Sequence, residues 1–493
     1  MRLLARSDNL FLLRLTLSPL AVTAMGATHA ASAARNVVVL GASYAGSHAA
    51  ELLARTLPPS HRVVVVDRQS HFNHLYLHPR VSVVPGHAQK VFIPYGGVLP
   101  APPPAPAPIA RHVIIHASVT AITDEHIELD RDLLESERDV GGDEDEVEKL
   151  TNELEKAKLG AESPRERRQA TRRLAWDYLI YALGCTLPPP LTTTARTKKD
   201  GVAFLESQQQ LIASASSILI AGGGALGIQY ASDIADLYNN PSNASLLSSP
   251  PPPKKRITLV HSRDRFLPLY KQEVHEEVLR RMEELGVEVV LGERVQLPDA
   301  KDDKPGTMKT LKFKDGREVA YDLLLRCTGQ KPNSQLFRDF LPDTLDEWGY
   351  IEIRPTLQVD VSKVENADKL SEKVKRNVYA IGDVANAGVI KAGHTGWNQA
   401  GFATQNIMCC IETDALNAAR AKDERMSEPE LVEYEKTPPQ IKVTLGLRHS
   451  VSELLPDMQA KETVVQTGSD GPVDGYYKVV WERMGADPSD VSV

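Results

Sequence analysis

Asn36-Val-Val-Val-Leu-Gly41-Ala-Ser43-Tyr-Ala-Gly46-Ser-His-Ala-Ala-Glu51 is the stretch whose reading decides the fold. Four apolar residues form a buried parallel strand, a turn of small residues follows, and a helix opens from it. That arrangement suits a dinucleotide, because the diphosphate rests on backbone N–H groups at a helix N-terminus. Gly41 allows the tight turn, and Gly46 lets helix and strand approach closely. Ser43 stands where the usual pattern has its middle glycine. Asp67 closes the next apolar run, Val63–Val66, where a carboxylate accepts from a ribose hydroxyl.

The pattern recurs at Ser217-Ile-Leu-Ile-Ala-Gly222-Gly-Gly224-Ala-Leu-Gly227, a complete G-x-G-x-x-G between a strand and a helix. One fingerprint is weak evidence; two in one chain predict two dinucleotide sites. At the second site the strand Ile257–Val260 ends in His261-Ser262-Arg263 rather than an acid. An arginine there pairs with a 2′-phosphate, so NADPH is expected as donor, with NADH as the alternative. Further on, Asn377-Val-Tyr-Ala-Ile-Gly382-Asp383 places a carboxylate after a strand-ending glycine, suited to the ribityl chain of a flavin. Gly393-His-Thr-Gly-Trp397-Asn-Gln399 then leads into a helix from about Gly396, whose positive end would face the flavin pyrimidine edge. Two similar exits, Ala182-Leu183-Gly184 and Cys327-Thr328-Gly329, read as one crossing between subdomains used twice.

The expected fold is α/β, with two Rossmann-type subdomains, one for FAD and one for NAD(P), and a C-terminal α/β region. The boundaries read as a leader over 1–35, a first part of the FAD domain over 36–200, the NAD(P) domain over 201–335, the second FAD part over 336–412, and a C-terminal region over 413–493. Residues 131–173 form a charge-rich insertion in which Val147, Leu150 and Leu154 suggest one amphipathic helix. It reads as a solvated insertion or as a docking segment. The run from Pro100 to Pro108 reads as an extended linker, and Asn239–Pro253 as a loop.

Composition removes several classes. The 493 residues are 42% hydrophobic and 25% charged, and a net charge of -8 gives nucleic acid no basic face to meet. No metal site is legible among the 14 histidines. The four cysteines, Cys185, Cys327, Cys409 and Cys410, include no C-x-x-C or C-x4-C pair, which argues against a disulfide reductase. The adjacent Cys409 and Cys410 fall on different faces of a helical stretch. The leader carries Arg2, Arg6, Arg14 and Arg35 with Asp8 as its sole acid, and reads as a mitochondrial transit peptide. A secretory signal ending near Ala31-Ser32-Ala33, or an untargeted extension of a cytoplasmic protein, are the alternatives.

The ordered motifs resemble the pyridine nucleotide–disulfide oxidoreductase superfamily. More closely they resemble the AMID/ferroptosis-suppressor group of apoptosis-inducing-factor-like flavoproteins, near type II NADH dehydrogenases. The resemblance runs over about residues 36–450. It implies that Gly41, Ala42, Ser43, Ala45 and Gly46 hold the FAD diphosphate and Asp67 its ribose. Arg80 in HPRVS would contact FAD, Val119 in ASVTAI would bind adenine through its backbone, and Asp383 would hold the ribityl chain. Gly222, Gly224 and Gly227 would hold the nicotinamide cofactor; Gly184, Gly329 and Gly382, read from the strand exits themselves, are expected to be cofactor-binding as well.

Three departures stand out: A-L-G replaces A-T-G at 182–184, Gln229 replaces a glutamate, and the group's N-terminal myristoylation signal is missing. The resemblance also implies electron transfer from NAD(P)H through FAD to a quinone-like small molecule, with peripheral membrane association. The other reading is a flavoprotein that signals to or docks a partner. No catalytic acid or base is required, since hydride transfer rests on ring proximity. Lys90 in KVFIPY stands near the flavin or is a surface lysine.

Overall fold

The computed structural model describes residues 34–100, 112–137, 171–247, 253–299, 301–420, 426–457 and 459–492. The leader, most of the proline run, the core of the charged insertion and the tip of the loop before Pro253 lie outside the described residues. In chain order the framework is β1 (Arg35–Leu40), α1 (Tyr44–Thr56), β2 (His61–Asp67), α2 (His78–Val83), β3 (Val113–His116) and β4 (Tyr178–Tyr181). It continues with β5 (Ser217–Ala221), α3 (Ala225–Asn239), β6 (Arg256–Val260), α4 (Gln272–Glu284), β7 (Glu288–Val290) and β8 (Leu323–Arg326). The last part is β9 (Val378–Ala380), α5 (Gly393–Ala418), β10 (Ile441–Thr444), β11 (Ser450–Leu454), β12 (Val464–Gly468) and α6 (Tyr477–Arg483).

Two parallel sheets carry the fold. The first has the order β9-β4-β1-β2-β3, so its outer strand β9 arrives only after the whole second sheet has been built. The second has the order β7-β6-β5-β8. Alternation along each strand sorts side chains to two faces. On β1, Val37 and Val39 pack with Ala49, Leu53, Ala403 and Ile407 of the covering helices. Val38 and Leu40 face the other way, with Trp176, Ile127 and Leu129 of an antiparallel meander. The second sheet repeats the plan: Ile218 and Ile220 meet α3 and α4, while Leu219 meets the hairpin residues Leu311, Phe313 and Tyr321. Both sheets are buried on both faces, which is why their strands read as unbroken apolar runs.

Some boundaries differ from the sequence reading. Tyr321–Cys327 divides at Asp322, whose carboxylate takes the N–H groups of Ser216 and Ser217 at 2.9 and 3.0 Å. A hairpin strand therefore ends there and β8 begins. The loop after Asn239 starts with a 3-10 turn, Pro241–Leu246. Helix α5 starts at Gly393, three residues early. The C-terminal region makes an antiparallel sheet, β10-β11-β12, on the second half of the molecule, through Val443, Leu445 and Val451. It then returns α6 to the first half, through Tyr477 and Trp481. No helix among the described residues is long and apolar enough to cross a membrane.

Candidate cofactor sites

The two sheets end in the same wiring. Gly41 donates its N–H to the Val66 carbonyl at 2.8 Å, and Gly222 donates to the Val260 carbonyl at 2.8 Å. Ala182 donates to Leu40, and Cys327 to Ala221, closing each turn against the neighbouring strand. Gly41 and Gly222 have φ of +94° and +118°, a region open mainly to glycine. A Cβ on Gly41 would stand 2.6 Å from the Ala182 carbonyl oxygen. One on Gly222 would stand 2.6 Å from Thr328 Cγ2. Cβ atoms on Gly46 and Gly227 would each collide with the carbonyl oxygen of the turn glycine, Gly41 and Gly222 respectively. Backbone shape alone thus requires glycine at four positions.

Ser43 and Gly224 are equivalent N-cap residues of α1 and α3. A side chain at Gly224 would meet nothing within 4 Å, so it would enter the space in front of the helix end. At Ser43 a hydroxyl occupies that space and makes no capping hydrogen bond. Ala42 is buried, and its N–H donates to Asp67 Oδ2 at 2.6 Å, while Oδ1 accepts from the Gln69 N–H at 2.7 Å. Burial raises the Asp67 carboxyl above its ordinary range, against those two hydrogen bonds.

The counterpart of Asp67 in the second half is His261. Gly223 donates to its Nδ1 at 3.1 Å, as Ala42 donates to Asp67. In the sequence His261 stands out only as the absence of an acid. Arg263 follows, exposed, with its carbonyl accepting from Gly292 at 2.9 Å.

Asp383 lies where the two halves meet. Gly382, with φ of +76°, sits against the Ala45 methyl, and its N–H donates to Gln399 Oε1 at 2.6 Å. A Cβ at Gly396 would lie 3.0 Å from that same methyl, so three small residues let α1, the Asp383 turn and α5 converge. Gln330 donates to Asp383 Oδ2 at 3.2 Å. The crossings that contain Gly184 and Gly329 pair with each other as a short antiparallel ladder, Cys185 with Pro332 and Thr186 with Lys331. Asn333 binds the first crossing through its N–H to Gly184 at 3.0 Å and its side chain to Leu183 at 2.8 Å. Gly184 and Gly329 have φ of +61° and +90°, with open space beyond their Cα atoms.

Val119 is half-buried on the meander strand Val119–Ile122, just beyond Ala117, whose N–H meets the Asp67 carbonyl at 3.0 Å. Arg80 departs from the expectation of a flavin contact. All five of its N–H donors are used within the protein, on Asp233 and on the carbonyls of Gly446, Leu447 and Val473. Lys90 pairs with Asp474 at 3.1 Å and lies over the Tyr477 ring. Gln229 reaches Thr444 Oγ1 at 3.1 Å. The first N–H of α5, at Gly393, is donated to the Tyr76 hydroxyl, so that end of the helix carries a tyrosine cover. All four cysteines are free thiols, and burial pushes Cys185 and Cys327 up to about 12.

The residues fit the two nucleotides: four glycines that a Cβ would obstruct, two helix N-termini, a buried acceptor at Asp67 and a carboxylate at Asp383. A titration checks the last of these. Burial raises the Asp383 carboxyl from 3.8 to about 6, although Lys391 and the Gln330 hydrogen bond pull it down. In the flavin-free protein its contribution to stability is whole below 3.8. It is lost as pH rises toward about 6, because the folded chain keeps a proton that the unfolded chain releases. A ribityl hydroxyl donating to the carboxylate favours the ionised form. FAD affinity, followed by quenching of flavin fluorescence, should therefore rise with pH through about 6 and then level. Asp383→Asn should flatten the curve; a flat curve in the unaltered protein would remove Asp383 from the contact.

The family model described as "Pyridine nucleotide-disulphide oxidoreductase" matches residues 35–405. Fe-regulated protein 8 of Mycosarcoma maydis is 35% identical over 467 residues, covering 93% of this chain and 96% of its own. Human ferroptosis suppressor protein 1 is 26% identical over 394 residues, covering 78% of this chain and 84% of its own. Among solved structures, the sulfide:quinone oxidoreductase of Aquifex aeolicus superposes with a TM-score of 0.57 at 12% identity, covering 91% of this chain and 90% of its own.

Proposed function

Because the chain belongs to the pyridine nucleotide-disulphide oxidoreductase family, and is an NAD(P)H oxidoreductase with FAD as its flavin, we propose that its electron acceptor is a quinone-like small molecule. The observation that carries this reading is the pairing of two dinucleotide cradles through one shared ladder, whose crossings carry free thiols rather than a disulfide. Cys185 and Cys327 stand in the two crossings, but burial keeps both protonated at neutral pH, and the thiolate is the form that exchanges electrons with a disulfide. A diffusible acceptor then takes the place of a thiol relay. The likeness to ferroptosis suppressor protein 1 supports the same class of reaction.

FAD, when bound, supplies the two-electron chemistry that links a hydride donor to such an acceptor. The chain's own part is to bind and orient. The N–H groups opening α1 and α3 face the two diphosphates, Asp67 takes the flavin-side ribose, and Asp383 takes the ribityl chain. His261 and Arg263 replace an acid on the nicotinamide side, which favours NADPH without barring NADH. The Arg-bearing leader supports a mitochondrial address near a membrane that holds quinone, with a cytoplasmic one as the alternative; imaging of a tagged full-length chain tests between them.

A soluble ubiquinone analogue or menadione should raise NAD(P)H oxidation far above the rate with oxygen alone, with NADPH used at least as well as NADH. If NAD(P)H bleaches the flavin and no quinone raises turnover, the acceptor assignment falls. A flavoprotein that reports its redox state to a partner would then be the better reading.

A further inference from the structure

One ten-residue segment, His74–Val83, is fastened at one end to the flavin half and at the other to the nicotinamide half. At its start, His74 Nδ1 is 2.8 Å from the hydroxyl of Tyr44, the first residue of α1. Two residues later the Tyr76 hydroxyl accepts the N–H of Gly393, the first residue of α5. At its far end lies Arg80, which is 3% exposed and faces Asp233, which is fully buried. Nε meets Oδ2 at 2.8 Å and Nη2 meets Oδ1 at 2.9 Å, a bidentate fork. The other donors hold the Gly446, Leu447 and Val473 carbonyls at 2.8, 3.0 and 2.9 Å. Asp236, one turn further along α3, accepts from the Leu447 N–H at 2.8 Å and so fixes the same loop.

Asp233 belongs to α3, the helix whose N-terminus carries Gly224 and Gly227. It lies nine residues beyond Gly224, roughly 13 Å down the helix axis. A rigid helix passes any shift at Asp233 to its glycine end. A buried ion pair is weak evidence of stability, because desolvation offsets much of its attraction. Its directional fork is a strong determinant of geometry. Hydride transfer is where that geometry matters most, since a misplacement of about 1 Å costs on the order of a hundredfold in rate.

We propose that Arg80 is a positioning residue: by gripping Asp233 it sets where the nicotinamide-side helix stands relative to the flavin-side turn. The inference rests on the assignment of the two cradles to FAD and NAD(P)H. It places Arg80 in the seam between them, away from cofactor contact.

Arg80→Lys keeps the charge and removes the fork. In rapid mixing of the oxidised holoprotein with NAD(P)H, the limiting rate of flavin bleaching should fall about tenfold to a hundredfold. The dissociation constant from the same titration should stay within about twofold. The long-wavelength charge-transfer absorbance of oxidised nicotinamide beside reduced flavin should weaken, while flavin content and the resting spectrum stay unchanged. Arg376→Lys, at the Arg376–Asp414 pair inside the flavin half, is the control that should leave the bleaching rate alone.

If Arg80→Lys gives no folded protein, Asp233→Asn keeps the partner's shape and reports the same rate. A variant that loses flavin would return Arg80 to FAD binding, and one that loses only NAD(P)H affinity would make it a binding residue. Unchanged bleaching would make it a packing residue. Each of these overturns the proposal. Failure of NAD(P)H to bleach the unaltered protein would instead overturn the cofactor assignment.

Discussion

Gly46→Val should yield a folded protein without yellow colour that takes up no FAD when the flavin is added. Gly46 lies in the first turn of α1, where the helix passes directly over the turn that begins at Gly41. The first added carbon would already overlap the Gly41 carbonyl oxygen and stand 3.4 Å from the Ala182 methyl. Both neighbours are fixed: Gly41 donates to β2, and Ala182 donates to β1. Relief can come only from moving α1 off the sheet, and α1 carries the N–H groups proposed to hold the diphosphate. Overpacking of this kind costs about 1–3 kcal/mol, which a large domain with two other packed layers tolerates, whereas a cradle of backbone donors does not tolerate the shift. The ratio of flavin to protein absorbance in purified material measures the outcome. A yellow variant would show that the cradle lies elsewhere.

Gly227→Val should give the complementary phenotype: a yellow protein whose flavin is bleached by dithionite but hardly at all by NAD(P)H. The clash repeats in the second half, with the Gly222 carbonyl oxygen in the way and the Cys327 Cβ at 3.2 Å. Flavin content should match the unaltered protein, because the atoms that a Cβ on Gly227 would meet, on Gly222 and Cys327, belong to the second half. Bleaching by NAD(P)H should slow by at least about tenfold, since a misplacement of about 1 Å costs on the order of a hundredfold in rate. Together the two variants separate the halves. If both lost flavin, the two cradles would depend on each other more than their separate sheets suggest.

The glycine turns were legible because backbone geometry left no other choice there. Positive φ at Gly41 and Gly222, and close packing at Gly46 and Gly227, leave the same signature whatever surrounds them. The strands were legible as well, since burial on both faces turns them into plain apolar runs. His261 was harder to place. Its partner in the first half lies 26 residues after the turn glycine, whereas His261 lies 39 after its own, because a longer helix and the loop after Asn239 intervene. Only the shared hydrogen bond from the turn made the two positions equivalent.

Arg80 was read through a family pattern, and its side chain follows a contact 153 residues away that no local spacing reveals. The C-terminal sheet was obscure for another reason. On β11, Val451 and Glu453 are the buried pair, so burial alternates where hydrophobicity does not. Glu453 is tolerated inside because it accepts from the Lys271 N–H at 2.7 Å and the Thr463 hydroxyl at 2.5 Å. The early start of α5 was hidden by Gly393 and Gly396, which read as turn residues. They are glycines because Tyr44 and Ala45 lie against them.

The outer strand of the first sheet has a consequence for the making of the protein. β1 and α1 leave the ribosome first, but β9 and the helix that covers α1 follow more than 330 residues later. The second sheet, from β5 to β8, is complete well before them. At roughly 5–20 residues per second, the flavin half stays open along one edge for roughly 20–70 s, and for the last roughly 3–10 s of that, between Arg326 and Val378, the nicotinamide half is already able to close. The cradle for FAD is begun early in translation and receives its last wall late, so loading of the prosthetic group is a late step in biogenesis.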